Sequence, residues 1–151
     1  MGNKVIVGII VLAVVLIAWS RIGGGEQPQP VVQGEVISKN GIHWHPNLSI
    51  SVRDEEIPIP VNTGLIGGHS PMHTHETDGT IHLEFEGLVE KKDITVGQFF
   101  ELWGKEFSSN QLFENSASGT ERIVMYVNGV KNTEYENYVF QEHDEVKIVF
   151  E

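Results

Sequence analysis

Between Gly67 and Gly87 the chain reads GGHSPMHTHETDGTIHLEFEG, placing His69, His73, His75 and His82, four of its seven histidines, in one short segment. A further pair, His43 and His45, lies upstream in HWHPNLSI. Neutral imidazole binds divalent transition metals and moves protons, and two imidazoles whose Cβ atoms start about 5 Å apart across a strand pair can share one ion. The chain has no cysteine, which removes disulfides, thiolate nucleophiles and sulfur-based zinc or copper sites together. Any metal here must be held by nitrogen and oxygen.

For that chemistry the histidines must share a face. Asp78-Gly79 is a strong signal for a two-residue hairpin turn, and such a turn pairs Thr77 with Thr80, Glu76 with Ile81, His75 with His82 and His73 with Glu84. Ile81, Leu83 and Phe85 form the core face of the second strand, so His82, Glu84 and Glu86 take the other face, beside His73 and His75. A turn with a bulge would shift this pairing, and a one-residue slip would send the side chains to the opposite face; the parity of the core residues argues against such a slip. His43 and His45, two apart in an extended segment, also point the same way.

The expected metal ligands are therefore His73, His75 and His82, completed by His43 or His45, with Glu84 orienting an imidazole. His69 is within loop reach, Met72 is a candidate soft ligand, and His143 stands alone in a turn as a solvated side chain. The competing reading is a polar strand face whose histidines bond only water and carboxylates. It is weakened for the first three because converging imidazoles repel one another when protonated. Nitrogen donors with one carboxylate suit copper first by raw affinity, with zinc as the alternative.

Catalysis is the second class to weigh. The chain contains no H-E-x-x-H and no G-x-S-x-G, so the common hydrolase arrangements are absent. Gly67, five residues and then His73-Thr74-His75 follow the opening of the cupin metal motif, but that motif wants Glu where this sequence has Gly79 or Thr80. A cupin-like metal-dependent enzyme is the alternative, and a metal-free β domain that recognises another protein is the third reading.

The elements that must carry these residues follow from periodicity. Val31-Val32 and Val36-Ile37 offer a first strand; Leu48, Ile50 and Val52 alternate with polar residues, and Ile57, Ile59 and Val61 return after the turn at Arg53 to Glu56. Pro58 and Pro60 confine that second arm to a sheet edge. In DITVGQFFELWG, Thr95 and Gln98 have capping-box spacing and Gly104 ends the helix, with Phe99, Leu102 and Trp103 on its core face. Ile123 to Val127, a turn at Asn128-Gly129, and Val146 to Phe150 close the domain as strands. The expected fold is mainly β, of the α+β kind: a compact antiparallel β domain with one short helix.

Residues 1 to 22 carry an apolar run from Val5 to Trp19 that, extended to Ile22, makes a helix of about 27 Å, just enough to cross a bilayer core. Lys4 and the amino terminus mark the inner end, and Trp19 and Arg21 suit the outer interface. A signal peptide cut after Ala18-Trp19-Ser20 is the rival, disfavoured by the Arg that would follow the cut. Residues 23 to 30 form a Gly/Pro linker and 31 to 151 an extracytoplasmic β-rich domain, so the expected address is the cell membrane, single-pass. From Glu26 onward eight Lys and Arg (ten less Lys4 and Arg21) face 21 acids, a net charge of −13 with histidine neutral. That charge excludes nucleic acid as a partner and draws cations to any ligand set.

Taken together, His43 to Ile50 (H-x-H-P-x-L-x-I), His73 to Glu84 (H-T-H-E-x-x-G-x-I-H-L-E), Val96 to Gly104 (V-G-Q-F-F-x-x-W-G) and Met125 to Gly129 (M-Y-V-N-G) resemble a family of small membrane-anchored archaeal and bacterial proteins without an assigned activity. The C-terminal half is similar to beta-grasp domains, whose order is hairpin, helix, strand, strand. Sulfur carriers of that fold end in Gly-Gly, whereas this chain ends Val149-Phe150-Glu151, which excludes a carrier role. The resemblance implies a membrane anchor, and the domain could serve storage or relay of metal or be an accessory subunit of a membrane complex. Protease added to intact cells is expected to trim the domain from Val31 to Glu151, and mass spectrometry of the mature chain to find residues 1 to 22 retained. A mature chain starting at Arg21 would defeat the anchor.

Overall fold

The structure, a computed structural model, describes residues 34–151. The expected anchor over 1–22, the linker over 23–30 and the Val31-Val32 part of the first strand lie outside the described residues. Among the described residues no helix is long and apolar enough to cross a membrane.

The alternating segment Leu48, Ile50, Val52 becomes strand β3 (Asn47–Val52), which follows two short strands, β1 (Val36–Ser38) and β2 (Ile42–Trp44). Arg53 and Asp54 turn the chain with φ of 50° and 67°, and β4 (Glu55–Glu56) returns antiparallel against β3. The expected second arm through Ile57, Ile59 and Val61 is shorter than its apolar pattern suggests. Ile57 still donates its N–H to the Ile50 carbonyl, but Pro58 and Pro60 have no N–H to continue the ladder. Ile59 is buried all the same, held by packing rather than by pairing.

After β5 (Met72–His73), β6 (His82–Phe85) and β7 (Val89–Glu90), a 3₁₀ turn at Lys91–Ile94 leads into the helix α1 (Val96–Trp103). The Thr95 hydroxyl accepts the Gln98 N–H at 3.0 Å and Gly104 ends the helix at φ 71°, as the capping pattern requires. Val96, Phe99 and Phe100 are fully buried, while Leu102 and Trp103 pack against the core half-buried. The polar stretch after the helix, which carries no strand signal, forms a small hairpin of β8 (Gln111–Leu112) and β9 (Asn115–Ser116).

β10 (Ile123–Val127), β11 (Val130–Asn132) and β12 (Glu145–Phe150) complete the large sheet, whose order is β11-β10-β12-β3-β4. β12 lies antiparallel to β10 but parallel to β3, with Val146 opposite Leu48 and Ile148 opposite Ile50. The sheet is thus mixed at its centre rather than antiparallel throughout. Leu48, Ile50, Val146, Ile148 and Phe150 put one apolar face into a core shared with Phe99, Phe100, Ile123 and Met125. Asp144, buried just before β12, accepts hydrogen bonds from the Tyr138 hydroxyl (2.7 Å), the Gln141 N–H (2.8 Å) and the Asn128 amide (2.9 Å). Burial and this carboxylate push the Tyr138 hydroxyl well up from its usual pKa.

A separate three-stranded sheet, ordered β2-β6-β5, carries the histidines. Its connection from β5 to β6 is not the tight hairpin that Asp78-Gly79 predicts. Residues 79 to 81 pair instead with the start of β3: Leu48 donates to the Gly79 carbonyl, Ile81 donates to the Pro46 carbonyl, and Thr80 bridges Asn47. Gly79 sits at φ 83°, and a Cβ there would collide with the Leu48 carbonyl oxygen. Gly79→Ala is therefore expected to destabilise the protein by about 2 kcal/mol or more, lowering Tm by about 6 to 10 °C in a thermal melt. An unchanged Tm would show that this crossing does not hold the two sheets together.

Candidate metal centre

Strand β6 is the middle of the small sheet and sets the geometry. Its register with β5 places His73 opposite His82 and Met72 opposite Leu83; its register with β2 places His43 opposite Glu84 and Trp44 opposite Leu83. The expected pairs, His75 with His82 and His73 with Glu84, do not form. The ladder is offset from them by two residues, an even number, so the face assignment survives the change of partner. Met72 and Leu83 are buried in the core, while the imidazoles and Glu84 take the other face. Met72, expected as an extra soft donor, packs in the core opposite Leu83, on the face away from the imidazoles.

His73 is fully buried. Its Nδ1 lies 3.0 Å from the Ser70 carbonyl oxygen, which only accepts, so Nδ1 carries the proton and Nε2 keeps its lone pair. A ring nitrogen donated to a backbone carbonyl is the arrangement that fixes a metal-binding imidazole in one tautomer and orientation. His75 follows Thr74, which is pinned: its hydroxyl donates to the Pro60 carbonyl at 2.8 Å and its N–H to the Thr63 carbonyl at 3.0 Å. From this anchored position the His75 Nε2 reaches to 3.1 Å from the His73 Nε2. Two nitrogens bound to one zinc at 2.0–2.1 Å lie about 2.9 to 3.4 Å apart for angles between square and tetrahedral, so this separation suits a shared ion.

The rings of His75 and His82 are 4.7 Å apart between centroids, and those of His73 and His82 are 5.4 Å apart and stacked. On the far side of His82 lies His45 at 4.9 Å, edge to face, and beyond it His43 at 4.8 Å from His45. Five imidazoles thus adjoin one another in the order His43, His45, His82, His73 and His75. Their donor atoms divide into two triads, His73, His75 and His82 in one and His43, His45 and Glu84 in the other, each with atoms within 4.8 Å of one another. All six predicted residues are brought together, but as two neighbouring sets rather than one.

His69 lies 5.0 Å from His73 between ring centroids, on the loop that precedes β5. His143 is exposed beside Glu142, 3.5 Å away, and takes no part. The residues that sequence reasoning missed are the supports, Ser70, Thr74 and Thr63, whose role depends on chain segments far from one another in pairing pattern. The only signal for them was a run of small polar residues flanking the histidines.

Burial lowers the pKa of His73, and the neighbouring His75 and His69 lower it further, against the opposing pull of the Ser70 carbonyl and Glu84. His82 is lowered by burial first and then by His75, His45 and His73, with Glu84 opposing. Compared with family models, with curated proteins and with solved structures, the chain matches none.

In the unfolded chain both imidazoles return to their ordinary value of 6.5, above the folded one. The unfolded state therefore takes up protons first as pH falls, so stability is complete above about pH 6.5 and decreases from there toward the lower folded pKa values. For chelator-treated protein the urea midpoint is expected to drop between about pH 7.5 and pH 5.5, with His82→Gln removing part of that slope. A midpoint equal at both pH values would show that the cluster protonates without cost.

Proposed function

We propose that the domain binds a divalent transition metal, copper in preference to zinc, through His73, His75 and His82, in the service of metal storage or relay at a membrane. The single observation that carries this reading is the His73–His75 pair, with Nε2 atoms 3.1 Å apart and the His73 ring locked by Ser70. A merely polar face has no need of a buried imidazole whose lone pair points at a second one. The preference for copper rests on the affinity order of nitrogen donors without sulfur.

The strand order β4-β3-β12-β10-β11 around one helix, with β3 and β12 parallel, supports reading the large sheet as beta-grasp-like. In that reading the small histidine sheet is an addition to the frame, with β2 ahead of its first strand and β5 and β6 inserted before its helix. The resemblance to small membrane-anchored proteins and the apolar start of the sequence support an anchored, extracytoplasmic setting and a place beside a membrane complex.

Full-length protein purified in mild detergent, stripped with chelator and titrated with Cu(II) and Zn(II), is the test. Wild type is expected to bind Cu(II) saturably and more tightly than Zn(II), and His75→Ala to lose more than about 100-fold in affinity, beyond what loss of an outer partner of a ligand produces. Equal, weak binding by both proteins would reduce the histidines to a polar face and leave a β domain for protein recognition. Turnover of a substrate by the loaded protein would favour the cupin-like enzyme.

A further inference from the structure

The division of the donors into two triads has no use for a single ion. Around the second triad, the Glu84 Oε1 lies 3.4 Å from the His43 Nε2 and 3.6 Å from the His82 Nδ1. Neither distance makes a good hydrogen bond, and the His82 Nδ1, buried at the atomic level, has no hydrogen-bond partner. A buried ring nitrogen without a partner carries a desolvation cost that a bound group would relieve. The His43 side chain is 67% exposed and that of Glu84 36%; in the first triad His73 is buried, His82 half-buried and His75 exposed. An open cleft of about 780 Å³, lined by His43, His69, Glu84 and Glu86 among others, leads to this side of the sheet.

We propose that His43, His45 and Glu84 hold a second divalent cation at the mouth of this cleft, next to the ion of the first triad, with the His82 imidazole between the two. This rests on the metal-binding reading of His73, His75 and His82 and extends it from one ion to a pair. Two neutral imidazoles and one carboxylate form a donor set suited to zinc or copper, and the carboxylate supplies the charge that the all-imidazole triad lacks. His43, the most exposed of these ligands, opens the second site to solvent. The two carboxylates of the cleft favour cations as its visitors. Two adjacent sites joined through one imidazole suit a relay: an ion taken up at the cleft passes across His82 to the set that contains the buried His73.

The alternative role for Glu84 is to orient the His43 and His82 rings with no ion of its own, and stoichiometry separates the two. Full-length protein in detergent is dialysed against Zn(II) or Cu(II) near neutral pH, and bound metal is counted by atomic emission. Wild type is expected to hold two ions per chain, His43→Ala and Glu84→Gln one each, His75→Ala one, and the Glu84→Gln, His75→Ala double variant none. Paramagnetic resonance of the Cu(II) forms supplies a readout that a structural role would not move: coupled spins in wild type, and the spectrum of an isolated ion in each single variant. One magnetically isolated ion in wild type, with Glu84→Gln unchanged, would overturn the second site while leaving the first triad intact. Two ions that both survive His43→Ala and Glu84→Gln would also overturn it, and no bound ion in wild type would overturn both readings.

Discussion

The Leu48 N–H donates to the Gly79 carbonyl, and the Ile81 N–H donates to the Pro46 carbonyl, each at 2.9 Å. These two backbone bonds tie the histidine sheet to the first strand of the large sheet. They also set where β6 begins. Once Gly79 and Ile81 are committed to Pro46 and Leu48, the segment from His75 to Asp78 is left out of any ladder, and β5 can meet β6 only through Met72 and His73. The same crossing fixes the chain direction after His45, because Pro46 is buried and its carbonyl is already used. The positions of the imidazoles are therefore consequences of how two sheets share one strand junction.

Local rules and long-range pairing contributed unequally to what the sequence foretells. The capping of α1 by Thr95 and Gly104, the turn at Asn128-Gly129 and the alternation in β3 and β12 are short-range signals, and each is realised as periodicity and turn chemistry require. The Asp78-Gly79 signal is equally strong locally, yet a two-residue turn would have left the Pro46 carbonyl and Leu48 N–H unpaired at the junction of the sheets. Competition for those partners came from residues some thirty positions away, beyond the reach of a local rule. The face assignment of the histidines nonetheless follows from sequence, because it depends on parity and the actual register differs by two. The parallel contact of β12 with β3 and the hairpin of β8 and β9 depend on tertiary packing around Phe100, Leu112 and Phe113, to which pattern alone is blind.

Crowding imidazoles on one small sheet disfavours the protonated forms of His73 and His82. Burial of His73 and His82 and the mutual repulsion of their neighbours all act in that direction. Glu84, set between His43 and His82, opposes it. Its placement moderates the repulsion without forming a tight ion pair with either ring, which leaves its oxygens and the adjacent nitrogens available. A face designed only to be soluble would disperse these groups, since each exposed polar residue is satisfied by water at little cost.

The asymmetry across the sheet then gives the arrangement a direction. At the β5 side the His73 ring is enclosed and held by Ser70, with Thr74 pinned beneath the neighbouring His75. At the β2 side His43 is largely in solvent and its partner Glu84 is partly so. Between them His82 sits on the central strand, paired with His73 of β5 and next to Leu83, which is paired on both sides. The best-held ring of the cluster is that of His73. A ligand set loses less conformational entropy on binding when its side chains are already fixed. The triad around the locked His73 is thus the better-organised receiver, and the strand that joins the two sets is the element whose register the sheet junction controls.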